Sequence, residues 1–287
     1  MNGIVIVDKP QGWTSQDVTA RLRRVYATRR IGHGGTLDPM ATGVLPVFVG
    51  RATRGVEFFE HAEKTYETVL LLGRTTDTQD VTGTTLAEKA VHLSPADIER
   101  VLPRFRGDIL QVPPMYSAVK IGGKKLYELA RKGQEVERKP RPVTIYELEL
   151  LEQIHARDFL LRCVCSKGTY IRTLCHDLGQ ALGCGGAMFS LCRTMAAGFS
   201  LEQAVSLEAV QSQGDSLLLP TDSLFTAYPI LLLSSEQTEK RVRCGNPISL
   251  PGTPDGTYRI YGHSRDFLCL SRAEKGTLTS IKNFFGA

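Results

Sequence analysis

The sequence predicts an α+β protein with a mixed, largely antiparallel sheet flanked by helices and a small β-rich unit at its C-terminal end. Segments with helical periodicity are too few to separate every strand-like segment, as a doubly wound sheet would require. After Asp222, short apolar runs separated by glycine and proline replace the longer periodic segments. We therefore expect one unit at residues 1–225 and a second at residues 228–287.

The first elements are indicated by apolar runs and a capping signal. Ile4 to Asp8 is a short apolar run typical of a strand. Thr14 or Ser15 can cap a helix that we expect to run to about Ala27. Residues 64–73, rich in tyrosine, threonine, valine and leucine, predict the next strand.

The middle of the chain predicts two helices. Ser94 to Asp97 has the spacing of a capping box with proline at the first helical position, so we expect a helix to about Phe105. Lys124 to Lys132 predicts a short helix that Gly133 closes. Prolines bound the surrounding segment on both sides, which indicates a projecting arm at about residues 113–142.

The later elements complete the two units. Asp158 to Cys165 predicts a strand, and the apolar spacing of residues 171–182 predicts an amphipathic helix. Four apolar runs then predict a small β-barrel or sandwich, namely Ile230–Leu233, Pro247–Leu250, Tyr258–Tyr261 and Phe267–Leu270.

Composition excludes several classes of protein. No stretch approaches the roughly 18 apolar residues that a membrane span needs, and the N-terminal segment lacks the basic region of a signal peptide. We therefore expect a cytoplasmic protein. The seven cysteines include no C-x-x-C pair, and the grouping of Cys175, His176, Cys184 and Cys192 fits no common zinc spacing. We interpret the cysteines as free thiols of the core and expect no metal.

Positive charge is concentrated in two segments of a chain whose net charge is +5. Residues 120–141 contain eight basic side chains against three glutamates, and residues 21–30 contain five arginines and no acid. A solvated helix face would explain either cluster alone. Together they favour contacts with phosphates, so we expect a nucleic acid partner and select four arm residues as contacts with its backbone: Lys120, Lys124, Lys125 and Arg131.

One carboxylate lies in a glycine-rich segment, residues 32–46. Asp38 follows His33 by five residues and precedes a proline, with no second acid nearby in the sequence. An Asp-Pro step is also common turn chemistry, in which aspartate caps a helix. Any chemistry of this segment is therefore expected to use a single carboxylate, and a catalytic role depends on the rest of the chain.

The chain resembles the TruB family of pseudouridine synthases from about residue 3 to about residue 200. The resemblance is carried, in order, by Lys9-Pro10, the Asp38 segment, Lys64-Thr65-Tyr66 and Lys167-Gly168-Thr169-Tyr170-Ile171-Arg172. Residues 8–15, 29–33, 73–80 and 113–120 also agree with it. It implies the sheet of pseudouridine synthases and a small RNA-binding domain of the PUA type at the C-terminal end.

The resemblance also implies roles for individual residues. Asp38 is implied as the catalytic carboxylate, acting as nucleophile or as base at the ribose, with Arg172 as its counter-charge and Tyr66 stacked on the uracil near C5. The other implied substrate contacts are Tyr170 and Leu191 as walls of the base pocket, His33 beside the displaced base, and Lys9 near the floor. One departure is the pair Gly34-Gly35, where the family commonly has threonine and glycine after the histidine. We expect it to loosen the loop slightly.

Stand-alone members of the family convert the T-loop uridine of tRNA to pseudouridine at position 55, an isomerisation that needs no cofactor. The sequence contains no phosphate-binding or dinucleotide-binding motif, as this reaction would predict. Because the chain carries no basic tail, we expect a stand-alone monomer that acts on the tRNA T-arm without an obligate protein partner. A non-catalytic RNA-binding protein or chaperone would not need Asp38, Tyr66 and Arg172 together. A nucleosidase-like hydrolase would not need the basic arm.

Overall fold

The structure, a computed structural model, describes residues 1–60 and 62–286, and within them eighteen strands and seven α-helices. The strands are β1 (Gly3–Lys9), β2 (Ile31–His33), β3 (Thr42–Val49), β4 (Lys64–Leu72), β5 (Arg74–Thr76), β6 (Thr85–Glu88), β7 (Gly107–Gln111), β8 (Lys120–Ile121), β9 (Lys124–Lys125), β10 (Arg141–His155), β11 (Asp158–Cys165), β12 (Gly186–Ala196), β13 (Phe199–Ser200), β14 (Ile230–Leu232), β15 (Ile248–Ser249), β16 (Gly256–Tyr261), β17 (Phe267–Glu274) and β18 (Thr277–Asn283). The helices are α1 (Ser15–Val25), α2 (Val56–Glu60), α3 (Pro95–Val101), α4 (Leu126–Ala130), α5 (Ile171–Ala181), α6 (Leu207–Gln213) and α7 (Glu236–Arg243). None of the described helices is long and apolar enough to cross a membrane.

A nine-stranded sheet forms the larger part of the molecule. Its main path is β1-β3-β12-β4-β11-β10-β7, with β2 paired to β3 and β13 paired to β12. The pairings are antiparallel except for the short contact between β3 and β12. The sequence prediction of a mixed, largely antiparallel sheet is confirmed.

Helices cover one face of this sheet because each presents an apolar stripe to it. Val18 and Leu22 of α1, Ile98 of α3 and Leu174 and Leu178 of α5 join the strands in one buried cluster. The capping box predicted before α3 is present, and α1 begins after a second one at Thr14. A smaller apolar cluster also lies around β1 and β3 and includes Phe48 and Phe59.

The arm differs from its prediction. Only Leu126–Ala130 is helical, because Lys124 and Lys125 form a two-residue hairpin strand against Lys120 and Ile121. The turn of this hairpin is Gly122-Gly123, with φ of 57° and 81°, a conformation that glycine adopts without strain. The helix therefore begins after the hairpin, and a small apolar cluster around Met115, Leu126 and Leu129 supports it.

The C-terminal segment forms a second sheet in the order β14-β16-β17-β18-β15, with α7 between its first two strands in the chain. The four apolar runs predicted β14, β15, β16 and β17 but neither β18 nor α7, which Ser235 caps. Phe225 connects the two sheets, with ring centroids 5.1 Å from Phe58 and 5.5 Å from Phe284.

The seven cysteines are free, and five of them are buried. The expectation of core thiols is wrong for Cys244, which is exposed after α7, and only partly right for Cys192, which is half-buried on β12. Among the described residues, no group of three or more histidine, cysteine or acidic side chains is arranged to hold a metal ion.

Candidate active site

An ion pair between Asp38 and Arg172 forms the centre of the candidate site. Arg172 Nε lies 3.0 Å from Asp38 Oδ2, although 134 positions separate the two residues in the chain. Asp38 lies in the loop between β2 and β3, and Arg172 is the second residue of α5. The Arg172 side chain is only 6% exposed, whereas that of Asp38 is 38% exposed. The carboxylate of Asp38 is therefore partly accessible to solvent, whereas the guanidinium that pairs with it is buried.

Three further contacts fix the guanidinium of Arg172. Its Nη1 donates to the carbonyl of Thr78 at 3.2 Å and lies 3.4 Å from Asp80 Oδ2. Its Nη2 donates to the carbonyl of Tyr116, in the arm, at 2.8 Å. Nε, Nη1 and Nη2 of Arg172 therefore each have an acceptor, and these contacts with the surrounding loops fix the orientation of the guanidinium toward Asp38.

Asp80 is a second carboxylate at this site, paired with Arg172, and the sequence did not predict it. Its side chain is buried and accepts hydrogen bonds from the hydroxyl groups of Thr78 and Thr82 and from the backbone of Thr82. Nothing in the short spacing around Asp38 indicated it, because Asp80 comes from the loop between β5 and β6. The segment 73–80 carried part of the resemblance, and this was the available signal.

Burial raises the pKa of Asp38, and the negative charge of Asp80 acts in the same direction. The charges of Arg172 and Lys9 and the hydrogen bond from Arg172 lower it, but the net direction remains upward. The ionisation of Asp38 therefore depends on its cationic neighbours. This is the balance expected of a carboxylate that must be both ionised and partly desolvated to react.

Lys9 supports the loop from below. It is fully buried, and its Nζ donates to the carbonyls of Pro10, Trp13 and Pro39 at 2.9, 2.6 and 3.3 Å. Burial lowers the pKa of Lys9 to about 8, while the charge of Asp38 raises it and that of Arg193 lowers it. The contact with Pro39 lies directly after Asp38, so Lys9 is placed to hold the loop that carries Asp38.

The aromatic and apolar residues predicted for the base pocket lie on neighbouring elements. Tyr66 on β4 is half-buried and packs against the core that includes Leu191 of β12. Tyr170 is the residue before α5, and the side chain of Gln111 holds its backbone by two hydrogen bonds of 2.7 and 3.0 Å. Gln111 was not predicted, and no sequence pattern marked it.

His33 is the last residue of β2 and is half-buried. Burial lowers its pKa, and the positive charge of Arg193 acts in the same direction, so the ring is neutral near neutral pH. Its Nδ1 is buried and has no hydrogen-bond partner among the residues that the structure describes.

Arg193, on β12, is a further residue that the sequence reasoning missed. Its side chain is 1% exposed and donates to the carbonyls of Val44, Gly34 and Gly35 at 2.7, 3.4 and 3.2 Å. It is directly opposite Tyr66 in the pairing of β12 with β4. A lone arginine within an apolar strand was the signal that could have drawn attention to it.

The Gly34-Gly35 pair, at which the sequence departs from the family pattern, packs against Phe59. A Cβ atom at Gly34 would lie 2.4 Å from Cδ1 of the fully buried Phe59 ring. The ring occupies the volume that a threonine side chain would need. This close packing gives no support to the expected loosening of the loop.

The four predicted RNA contacts lie on the arm, where Lys120, Lys124 and Arg131 are exposed and Lys125 is half-buried. Lys125 Nζ and the guanidinium of Arg131 each lie 5.4 Å from the ring centroid of Tyr127. Two of the four cations are thus stacked on an aromatic ring and held in place.

Comparison with known proteins gives the family. The TruB family pseudouridylate synthase N-terminal domain matches residues 23–171, and the tRNA pseudouridylate synthase B C-terminal domain matches residues 172–226. The chain belongs to the TruB family. It is therefore a pseudouridine synthase, an isomerase, and the binding-protein and hydrolase alternatives are not favoured.

TruB relatives match the chain over most of its length. A tRNA pseudouridine synthase B of Dechloromonas aromatica is 44% identical over 92% of this chain and 89% of its own. One of Clostridium kluyveri is 39% identical over 99% of this chain and 100% of its own.

Two solved structures share the fold. A Cbf5-Nop10-Gar1 complex is similar with a TM-score of 0.74 and 27% identity, covering 99% of this chain and 85% of that one. An H/ACA RNP bound to a substrate RNA containing 2′-deoxyuridine gives a TM-score of 0.73 at 25% identity. The second sheet is accordingly the PUA-like part expected of this family.

Proposed function

We propose that this enzyme converts the T-loop uridine of tRNA, at position 55, to pseudouridine. The observation that carries the proposal is the accessible Asp38 carboxylate held 3.0 Å from a buried Arg172 in a chain of the TruB family. The relatives named tRNA pseudouridine synthase B support tRNA as the substrate class. The basic arm fits a folded RNA, whose shape and phosphates are what such proteins contact.

The reaction breaks the bond from ribose C1′ to N1, rotates the uracil and joins C1′ to C5. In our proposal the Asp38 carboxylate acts at the ribose, as nucleophile on carbon or as base toward a ribose proton. Arg172 keeps this carboxylate ionised and oriented. Tyr66 stacks on the uracil while the base is detached, and C5 gives up its proton as N1 gains one, so no oxidant or cofactor is consumed.

The other residues serve binding in this proposal. The uridine must leave the folded loop to reach Asp38, and His33 contacts the region that the base vacates. Tyr170 and Leu191 form walls of the base pocket, and Lys9 supports the loop. Arm residues contact the RNA backbone, namely Lys120, Lys124, Lys125 and Arg131.

We further propose a catalytic domain at residues 1–225 with its arm at 113–142, and a PUA-like domain at residues 228–287 that adds RNA contacts. In this proposal the protein acts in the cytoplasm as a monomer without an obligate protein partner.

The test incubates the purified protein with an unmodified tRNA T-arm, without added metal or nucleotide, and maps pseudouridine by position. We expect product at the T-loop uridine from the wild type and from Asp215→Asn, a substitution of an exposed acid. Asp38→Asn should bind the RNA and give no product. Release of free uracil would instead indicate a hydrolase, and absence of product from the wild type would overturn this substrate.

A further inference from the structure

Arg193 makes contacts that join two parts of the site. Its Nε and Nη2 donate to three carbonyls, of which those of Gly34 and Gly35 belong to the loop that carries Asp38. Arg193 also lies directly opposite Tyr66 in the antiparallel pairing of β12 with β4, so the two side chains share one face of the sheet, and the charge of Arg193 lowers the pKa of the Tyr66 phenol. One side chain therefore connects the loop of the catalytic carboxylate to the aromatic wall of the uracil site.

The backbone around Arg193 is equally constrained. Arg193 is opposite Tyr66 on β4 and opposite Gly43 on β3, so it lies where three strands meet. A Cβ atom at Gly43 would lie 2.3 Å from the carbonyl oxygen of Arg193, which shows how closely β3 approaches β12 here. The position of the guanidinium is thus fixed by the sheet itself.

Burying an arginine side chain costs free energy that burying an apolar side chain does not. Removing a guanidinium from water costs several kcal/mol unless hydrogen bonds compensate, and an apolar side chain of similar volume is often as stable or more so. All three hydrogen-bond acceptors of this guanidinium are neutral carbonyls. The presence of a charge at this buried position indicates that the Arg193 guanidinium acts on the neighbouring groups.

We propose that Arg193 is a positioning residue for pseudouridine formation. It holds Tyr66 and the Asp38 loop at a fixed separation, and it keeps the positive charge of its guanidinium beside the Tyr66 phenol. This inference rests on the proposed function. The contacts with Gly34 and Gly35 tie the guanidinium to the Asp38 loop, and the cross-strand pairing places it beside Tyr66. Substitution should therefore affect the reaction of bound substrate more than its binding.

The charged and titratable groups around the phenol are identified from each neighbouring element. Burial raises the pKa of Tyr66, Arg193 on β12 lowers it, and Cys165 and Cys163 on β11 raise it. The charge of Arg193 also lowers the pKa of Lys9 on β1 and of His33 on β2. Loss of Arg193 should therefore raise the pKa of Tyr66.

The test compares Arg193→Met, which removes the charge, with Arg193→Lys, which keeps it but cannot make the same hydrogen bonds. Single-turnover pseudouridine formation on the T-arm gives the rate and the half-saturating protein concentration. Carbon-13 NMR of tyrosine labelled at Cζ, with Tyr66→Phe to assign the signal, follows the titration of the phenol without substrate. Thermal unfolding reports stability.

We expect Arg193→Met to slow the single-turnover rate at least tenfold, with half-saturation changed less than threefold, and to raise the titration midpoint of Tyr66. Arg193→Lys should recover the midpoint more than the rate. A folded Arg193→Met protein with the wild-type rate and Tyr66 titration would show a merely structural role and overturn the proposal.

If Arg193→Met does not fold, the Arg193→Lys protein in the wild-type and Tyr66→Phe backgrounds provides the test. Its effect on the rate should be much smaller without the phenol, and an equal effect in both backgrounds would overturn the inference. The two proposals fail separately, because a wild-type protein without product refutes the substrate while the Tyr66 titration still tests the Arg193 contact.

Discussion

At the scale of single residues, the reactivity of Asp38 depends on opposing charges. Burial and Asp80 raise the pKa of its carboxyl group, and Arg172 and Lys9 lower it. The reaction requires the ionised form in either proposed role. The rate should therefore fall as pH decreases through the pKa of Asp38, at a higher pH than for an ordinary aspartate.

Arg172→Gln should move this acid limb to higher pH, because the cation that lowers the pKa of Asp38 is lost. The rate at the optimum should also fall by about two orders of magnitude, since loss of a buried charge-assisted contact costs about 3 kcal/mol. The measurement is the single-turnover rate from pH 5 to 9. Arg162→Gln, which removes two exposed ion pairs between β11 and β10, is the matched control. An unchanged acid limb would contradict this account of Asp38.

Asp80→Asn should move the acid limb in the opposite direction, to lower pH, because the negative charge that raises the pKa of Asp38 is removed. The rate at the optimum should still decrease, by about tenfold, as Arg172 loses an ion pair that orients it. The same pH series checks this, with Asp77→Asn, in the same loop but without a contact to Arg172, as control. A shift to higher pH would mean that Asp80 acts only by holding the loop.

Only the resemblance to the TruB family made it possible to predict from the sequence that Asp38 and Arg172 belong to one site. Asp80 and Arg193 were missed for a physical reason, since both reach the site through the pairing and packing of distant segments. The local spacing of residues in a sequence indicates a turn or the face of a helix. It does not indicate which distant residues a buried charge will contact.

At the scale of elements, the loop between β2 and β3 is packed against α2. A methyl group at Gly34 would overlap the Phe59 ring, whereas one at Gly32 would make ordinary contacts, with Val56 Cγ2 at 3.7 Å. Gly34→Ala should therefore lower the free energy of unfolding by about 1–3 kcal/mol, and Gly32→Ala should change it by much less.

Chemical denaturation of these variants tests the overlap. In a Phe59→Leu background the cost of Gly34→Ala should decrease by at least half, because the smaller side chain vacates the contested volume. Equal costs in both backgrounds would assign the effect to the backbone of the loop rather than to Phe59.

The arm is the second element with a distinct role. Its hairpin was missed because the helix-forming residues of 124–132 outweighed the Gly122-Gly123 turn in the sequence pattern. Lys124 on this hairpin is exposed, and each phosphate contact contributes about 0.7–0.9 to the slope of log K against log salt concentration.

Lys124→Gln should weaken tRNA binding at low salt and reduce the salt slope by about one unit, with the rate at saturating RNA unchanged. Lys89→Gln, an exposed lysine on another part of the surface, is the control for general charge and should leave the slope unchanged. Fluorescence titration of labelled T-arm over a range of salt concentrations measures both. Equal slopes for the two variants would remove Lys124 from the RNA interface.

At the scale of the whole molecule, the two sheets share an aromatic contact region. Phe225 is almost fully buried between Phe58 of α2 and two rings of the second sheet, Phe267 and Phe284, at centroid distances of 5.1 to 6.1 Å. An ion pair between Lys282 and Glu57 and hydrogen bonds from Arg54 to Asn283 and Phe285 lie beside it. The change in composition after Asp222 predicted a second unit, but these ring contacts could not be read from it, because single phenylalanines in a sequence do not specify their partners.

Phe225→Ala should uncouple the two sheets, because a buried phenylalanine contributes about 3–5 kcal/mol and this one contacts both sides. We expect the wild type to unfold in one calorimetric transition and the variant in two, with the second sheet unfolding at the lower temperature. Pseudouridine formation at 25 °C should persist, since the ring lies outside the groups that hold Asp38 and Arg172. Phe189→Ala, which removes a half-exposed ring of β12, should keep a single transition. A single transition with little change for Phe225→Ala would mean that the polar contacts of Arg54 and Glu57 are sufficient to couple the sheets.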